Sequence, residues 1–169
     1  MFKKLLILVL MMAPLSIFAQ KFAHFNSNDI VSVYPAAKTA QTELEALAKQ
    51  YQSDLEAMQK EFQTKLQKYE AEVTEQTPAN MRQRRQQELQ DLQQRLQQAA
   101  QDNQQAFTQA QQTKMQPIFE KVYSAIDAVL KEGSYVYGID KAATSGSITI
   151  NEALSTDITA QIKAKLGIK

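Results

Sequence analysis

Few residues in this chain are of types that perform chemistry, and their spacing argues against a reaction. His24 is the single histidine. It falls in the alternating run KFAHF, where an imidazole serves a core or an edge rather than catalysis. The carboxylates that lie closest, Glu43 with Glu45 and Asp54 with Glu56, are two residues apart. On a helix that spacing sends them to different faces, so neither pair makes an acid/base couple. There is no cysteine, hence no thiolate ligand and no disulfide. No glycine-rich phosphate loop, nucleophile elbow or metal-ligand spacing is present, so the chain reads as no enzyme and as needing no cofactor. What remains is non-covalent surface chemistry. Arg82, Arg84 and Arg85 form the only local basic cluster, most simply a clasp with the glutamates across the neighbouring turn. The Gln-rich run after them offers amides that both donate and accept hydrogen bonds. Candidate contact residues are therefore Arg82, Arg84, Arg85, Gln94, Gln98, Gln101 and Gln105.

These side chains need a scaffold, and the apolar pattern supplies one. Leu44, Leu47, Tyr51, Leu55, Met58, Phe62, Leu66, Tyr69 and Val73 recur at steps of three and four that repeat every eleven residues. A period of about 3.67 residues nearly matches a straight α-helix, so this stripe keeps to one face with little supercoil. Met81, Arg85, Leu89, Leu92, Leu96, Ala100, Asn103 and Phe107 follow the same steps. Between the stripes lies EQTPAN, in which Thr77 can cap a new helix with Pro78 in its first turn. If the chain reverses there, with its tip at residues 76–80, partners should have numbers of constant sum. Leu47 with Phe107, Tyr51 with Asn103, Phe62 with Leu92 and Val73 with Met81 all total 154, and the layers between them 154 or 155. The spacing predicts an antiparallel coiled-coil hairpin over residues 37–116, with arms on the order of 55 to 60 Å long. Its core is Leu47, Tyr51, Leu55, Met58, Phe62, Leu66, Leu89, Leu92, Leu96 and Phe107. The seam weakens at Ala100 and Asn103, so the hairpin should bend or breathe between Ala99 and Ala110.

The flanks differ in character. Lys21–Asn26 alternates like a strand, and Gly133–Asp140 and Gly146–Asn151 are β-rich runs bounded by glycine, with KAATS as a hairpin loop between them. Residues 118–130 resume an amphipathic helix, which Pro117 should kink where it leaves the hairpin. A last short helix starts at a cap on Ser155 or Thr156. Residues 20–36 and 117–169 thus form a small β/α body, too thin to be stable without self-association. Residues 1–19 carry Lys3 and Lys4, an apolar run and Ala19 before a cleavage point, the signature of a secretory signal peptide. The whole chain has 19 basic and 18 acidic residues. Without Lys3 and Lys4 those become 17 and 18, a formal charge of about −1, which excludes a general nucleic-acid binder.

Taken together, the leader, KFAHFNSNDI, the charged helical hairpin, PIFEKVYSAIDAVLKEGSYVYGID and DITAQIKAKLGI resemble the Skp/OmpH family of periplasmic chaperones. The resemblance covers residues 21–169. It implies a mainly α fold with a small β body: a homotrimer whose three chains share a β-barrel, from which helical hairpins project around a cavity. Phe22, Phe25, Val136, Ile148 and Ile150 are the candidates for packing that trimer body. The implied activity is an ATP-independent holdase that shields unfolded outer-membrane proteins in the periplasm, with transient approach to the membrane. Well-known members are strongly basic, and this near-neutral chain is not, so lipopolysaccharide binding is not carried over. The rival reading is a structural or adaptor coiled coil of the envelope. It would need an apolar stripe left over after hairpin pairing, whereas the outer faces here are polar.

Overall fold

The computed structural model describes residues 20–144 and 146–168. The expected signal peptide, residues 1–19, lies outside the described residues. In chain order the elements are β1 (Lys21–Phe25), α1 (Ser27–Val31), α2 (Pro35–Glu72), α3 (Ala79–Glu132), β2 (Tyr135–Asp140), β3 (Ser155–Asp157) and α4 (Thr159–Lys165). They fall into two compact units, one comprising Val31–Tyr123 and the other the described residues up to Ile30 with Ser124–Gly167.

The first unit is a helical hairpin. Pro35 opens α2, where a missing N–H costs no ladder bond. Leu44 is buried, and Leu47, Tyr51, Leu55, Met58, Phe62, Leu66 and Tyr69 are half-buried, one continuous stripe along α2. On α3 the facing positions are Leu89, Leu92, Leu96, Ala99, Asn103, Phe107 and Ala110, all at least half-buried. The seam runs through Ala99, while Ala100 is exposed. Two adjacent alanines are chemically identical, so only the phase of the packed helix chooses between them. The stripe also extends below Leu44. Ala37, Ala40 and Ile118 form a buried cluster, with Val31, Tyr34 and Met115 packed against it. A reading that kept only large apolar residues could not see those alanines.

Register is held by charge as well as by packing. Glu43 pairs with Lys114 near the open end and Glu72 with Arg85 near the turn. The two residue numbers total 157 in each pair, so the register does not slip over the intervening length. At the turn, Val73 is extended (φ −85°, ψ 113°) and ends α2. Thr77 does not cap α3. Its Oγ1 accepts the Thr74 N–H at 2.9 Å, and the Pro78 carbonyl accepts the N–H groups of Met81 and Arg82 at 3.0 and 3.1 Å. The hydroxyl therefore satisfies a donor within the loop that would otherwise be left open. Pro117 does not interrupt α3, which is continuous from Ala79 to Glu132. One lost ladder bond to the Thr113 carbonyl is tolerated where Met115 and Ile118 anchor the helix on either side.

In the second unit a three-stranded sheet has the order β2-β1-β3, with β1 parallel to both neighbours. Phe22 faces Tyr137, Ala23 faces Gly138 and His24 faces Ile139. Ala23 and Phe25 are buried, and Ile30, Ile158 and Ile162 are wholly enclosed. A Cβ on Gly138 would lie 2.8 Å from Leu130 Cδ2, so the bare glycine lets the end of α3 close onto the sheet.

The expected hairpin between residues 133–140 and 146–151 is absent, and 146–151 is not a strand. Asp140 explains why. Its Oδ1 accepts the N–H groups of Ser27 and Ala142, each at 3.0 Å. The Lys141 N–H donates to the Phe25 carbonyl at 2.8 Å. Together these turn the chain across the end of β1 instead of back along β2. The third strand forms at Ser155–Asp157, residues of the cap-forming types that had suggested a helix start. The cap-like bond comes from Asp157, whose Oδ1 accepts the Thr159 N–H at 2.9 Å. Hydrogen bonding from the Thr159 side chain, and then from this N–H, holds the Asp157 carboxyl below its ordinary value.

Candidate functional site

The hairpin carries three chemically distinct surfaces. Near the turn, Glu88 of α3 accepts hydrogen bonds from Lys65 Nζ and Tyr69 Oη of α2. The Lys65 bond and then the Tyr69 bond hold the Glu88 carboxyl below the usual carboxylate range. The same contacts push Lys65 and Tyr69 up. Arg85 stacks 5.1 Å above the Tyr69 ring and donates to Glu72 at 2.8 Å, while its enclosed Nη1 has no partner among the described residues. Of the three arginines singled out from the sequence, Arg85 is therefore tied into the seam. Arg82 and Arg84 are exposed.

Further along, the two arms leave an apolar groove of about 570 Å³, within the range of ordinary ligand pockets. Tyr51 and Leu55 wall it from α2, and Leu96, Ala100, Asn103 and Phe107 from α3. The cause is local: opposite Tyr51 and Leu55, α3 offers Ala100 and Asn103, which cannot fill the layer.

Beside the groove, α3 presents amides. Gln94, Gln98, Gln101 and Gln105, all candidates from the sequence, are exposed. They are not equivalent. Gln98 donates to Asp102 four residues on, at 2.8 Å, just as Gln87 does to Asp91 and Gln116 to Glu120. Gln101, Gln104, Gln105, Gln109 and Gln112 have no acid four residues on, and no hydrogen bond joins their side chains to another described residue. Gln104, Gln109 and Gln112 were missed from the sequence, although the absence of an acid at i+4 marks them.

The chain matches the family of OmpH-like outer membrane proteins over residues 21–166. It belongs to the OmpH-like family. A crystal structure of a candidate outer membrane chaperone (OmpH-like) from Caulobacter crescentus CB15 superposes with a TM-score of 0.72 at 17% identity, covering 87% of this chain and 83% of that one. No curated protein matches.

The remaining candidates of this OmpH-like chain lie in the sheet unit. Phe25 is buried, Phe22 is 38% exposed, Val136 and Ile148 are about half exposed, and Ile150 is half-buried. Phe22 stacks on Tyr137 with ring centroids 6.3 Å apart and planes at 6°, and Tyr137 is itself largely exposed. His24 is buried, with Nδ1 2.9 Å from Ser155 Oγ and Nε2 4.0 Å from Asp157 Oδ2. This contact fastens β3 to the central strand. Among the described residues no group of three or more His, Cys, Asp or Glu side chains is placed to hold a metal ion, and no helix is long and apolar enough to cross a membrane.

Proposed function

We propose that this protein is an ATP-independent holdase chaperone of the periplasm, which keeps unfolded outer-membrane proteins from aggregating. The observation that carries this reading is membership of the OmpH-like family across nearly all of the described chain, joined to a long hairpin with polar outer faces. Three copies would assemble through their sheet units. The exposed Phe22 and Tyr137, stacked on each other at the sheet surface, support this, because adjoining exposed apolar side chains often mark an interface, and Val136 and Ile148 are exposed on the same unit. Clients would be retained between the hairpins by many weak contacts and released to a better acceptor.

Two measurements test the proposal. An unfolded β-barrel protein diluted from denaturant should scatter markedly less light when the mature chain is present, without nucleotide. Scattering mass should equal three chains. Undiminished aggregation removes the holdase reading, and a stable monomer removes the assembly.

A further inference from the structure

The free amides of α3 have a geometry that fits one class of partner. Residues four apart on a helix are separated by about 6 Å along its axis. An extended polypeptide presents the peptide groups of one edge every two residues, about 6.6 to 6.8 Å apart. The row Gln101, Gln105, Gln109, and the pair Gln104 and Gln112 two such steps apart, therefore run nearly in step with a strand laid along the helix. A difference under 1 Å per repeat is within reach of a flexible glutamine over these two repeats.

Chemistry narrows the choice further. Each glutamine has an acceptor oxygen and an NH₂ donor, the same pair that a peptide group offers. A carboxylate cannot donate and an ammonium cannot accept, and neither occurs on this stretch apart from one acid. Between Gln97 and Gln112 the only charged residue is Asp102, and Gln98 already engages it. The amide row also borders the apolar groove, since Ala100 and Gln104 line both surfaces. A strand with alternating side chains can thus place apolar ones in the groove while its backbone edge meets the amides.

We infer that Gln101, Gln104, Gln105, Gln109 and Gln112, with the groove walled by Leu55, Leu96 and Phe107, form a binding site for extended polypeptide that reads the main chain and apolar side chains and is indifferent to charge. The inference rests on the holdase reading and specifies how a client is held. Its consequence is salt tolerance. A site built on lysine or arginine weakens as added salt shortens the screening length from about 10 Å at 0.1 M to about 3 Å at 1 M. This one does not.

The test uses the full mature chain and a fluorescein-labelled ten-residue peptide alternating Val or Tyr with Ser or Thr, followed by anisotropy. Raising salt from 0.1 to 1 M should change Kd less than about twofold. Methylating alternate backbone nitrogens of the peptide, which keeps every side chain, should weaken binding about tenfold or more, the loss expected of several hydrogen bonds. The triple variant Gln101→Ala, Gln105→Ala, Gln109→Ala should lose about as much, because it removes the same bonds. Alanine is the best helix former, and circular dichroism checks that helicity is kept. Equal binding by the methylated peptide, an unchanged Kd in the triple variant, or strong salt dependence each overturns the inference. If the wild type still suppresses aggregation of an unfolded β-barrel protein in that event, the holdase reading survives and only the mode of binding falls. If the peptide results are as expected but aggregation is not suppressed, the site stands and the holdase reading falls.

Discussion

Asn103→Leu should tighten the hairpin at the place where its seam is weakest. Asn103 is half-buried in the wall of the groove and faces apolar neighbours. Full burial of a leucine is worth roughly 1.5 to 3 kcal/mol, so half of that, about 1 kcal/mol, is available here. Leucine is also the better helix former, by about half a kcal/mol. Asn103→Ala isolates the two contributions, since it gains propensity, up to about 0.7 kcal/mol, without filling the groove. The difference between the variants is then about 0.8 kcal/mol, equivalent to about fourfold in an opening equilibrium. Hydrogen exchange of the amides in residues 48–59 and 96–107 measures that equilibrium directly. Exchange should be fastest there in the wild type, slower in Asn103→Ala and about fourfold slower again in Asn103→Leu. If Asn103→Leu exchanges no more slowly than Asn103→Ala, the groove is not a packing defect and the reasoning fails. Uniformly slow wild-type exchange along both arms would refute the expected breathing between Ala99 and Ala110.

Two further outcomes follow from named contacts. The Glu88 carboxyl is held below its ordinary value by Lys65 and Tyr69, so its contribution is present above the unfolded-chain value and lost as pH falls through the lower folded one. Acidification below the usual carboxylate range should therefore speed exchange around residues 65–69 and 85–89, and Glu88→Gln should flatten that acid dependence while exchanging faster at neutral pH. Gly138→Val places methyl groups where Leu130 already stands. Overpacking of this kind costs about 1 to 3 kcal/mol, a fall in Tm of roughly 2 to 10 °C by differential scanning calorimetry, and an unchanged Tm would show that Leu130 simply moves aside.

The hairpin was legible because helix periodicity is local and redundant. From Leu44 to Tyr69 every stripe position is at least half-buried, since each can face only one way on a helix of known pitch. The constant-sum register could be read for the same reason: two stripes with one period, joined by a short turn, align in only one way. Where side chains were small or alike, the pattern lost power. Ala37 and Ala40 were overlooked although both are buried, and Ala99 could not be told from Ala100. Caps were misread at Thr77, Ser155 and Thr156, because those residue types also serve loops and strand ends and their partners decide which.

The sheet shows the opposite case. Lys21–Phe25 was recognisable from alternation and Tyr135–Asp140 from its β-rich composition beside a glycine, yet which segments pair is a question about residues more than a hundred positions apart. A β-rich run such as Gly146–Asn151 has the composition of a strand, and a three-residue run such as Ser155–Asp157 has not. Asp140 settled the matter by accepting two N–H groups at once, and His24 by meeting Ser155. The sequence by itself determined the two long helices of the hairpin, their stripe as far as Tyr69, their register and the near-neutral charge of their surface, because these follow from spacing and composition along one strand of chain. Only the tertiary structure decided the parallel sheet and the groove beside Asn103. Each of these depends on what a distant segment places, or fails to place, against a given side chain.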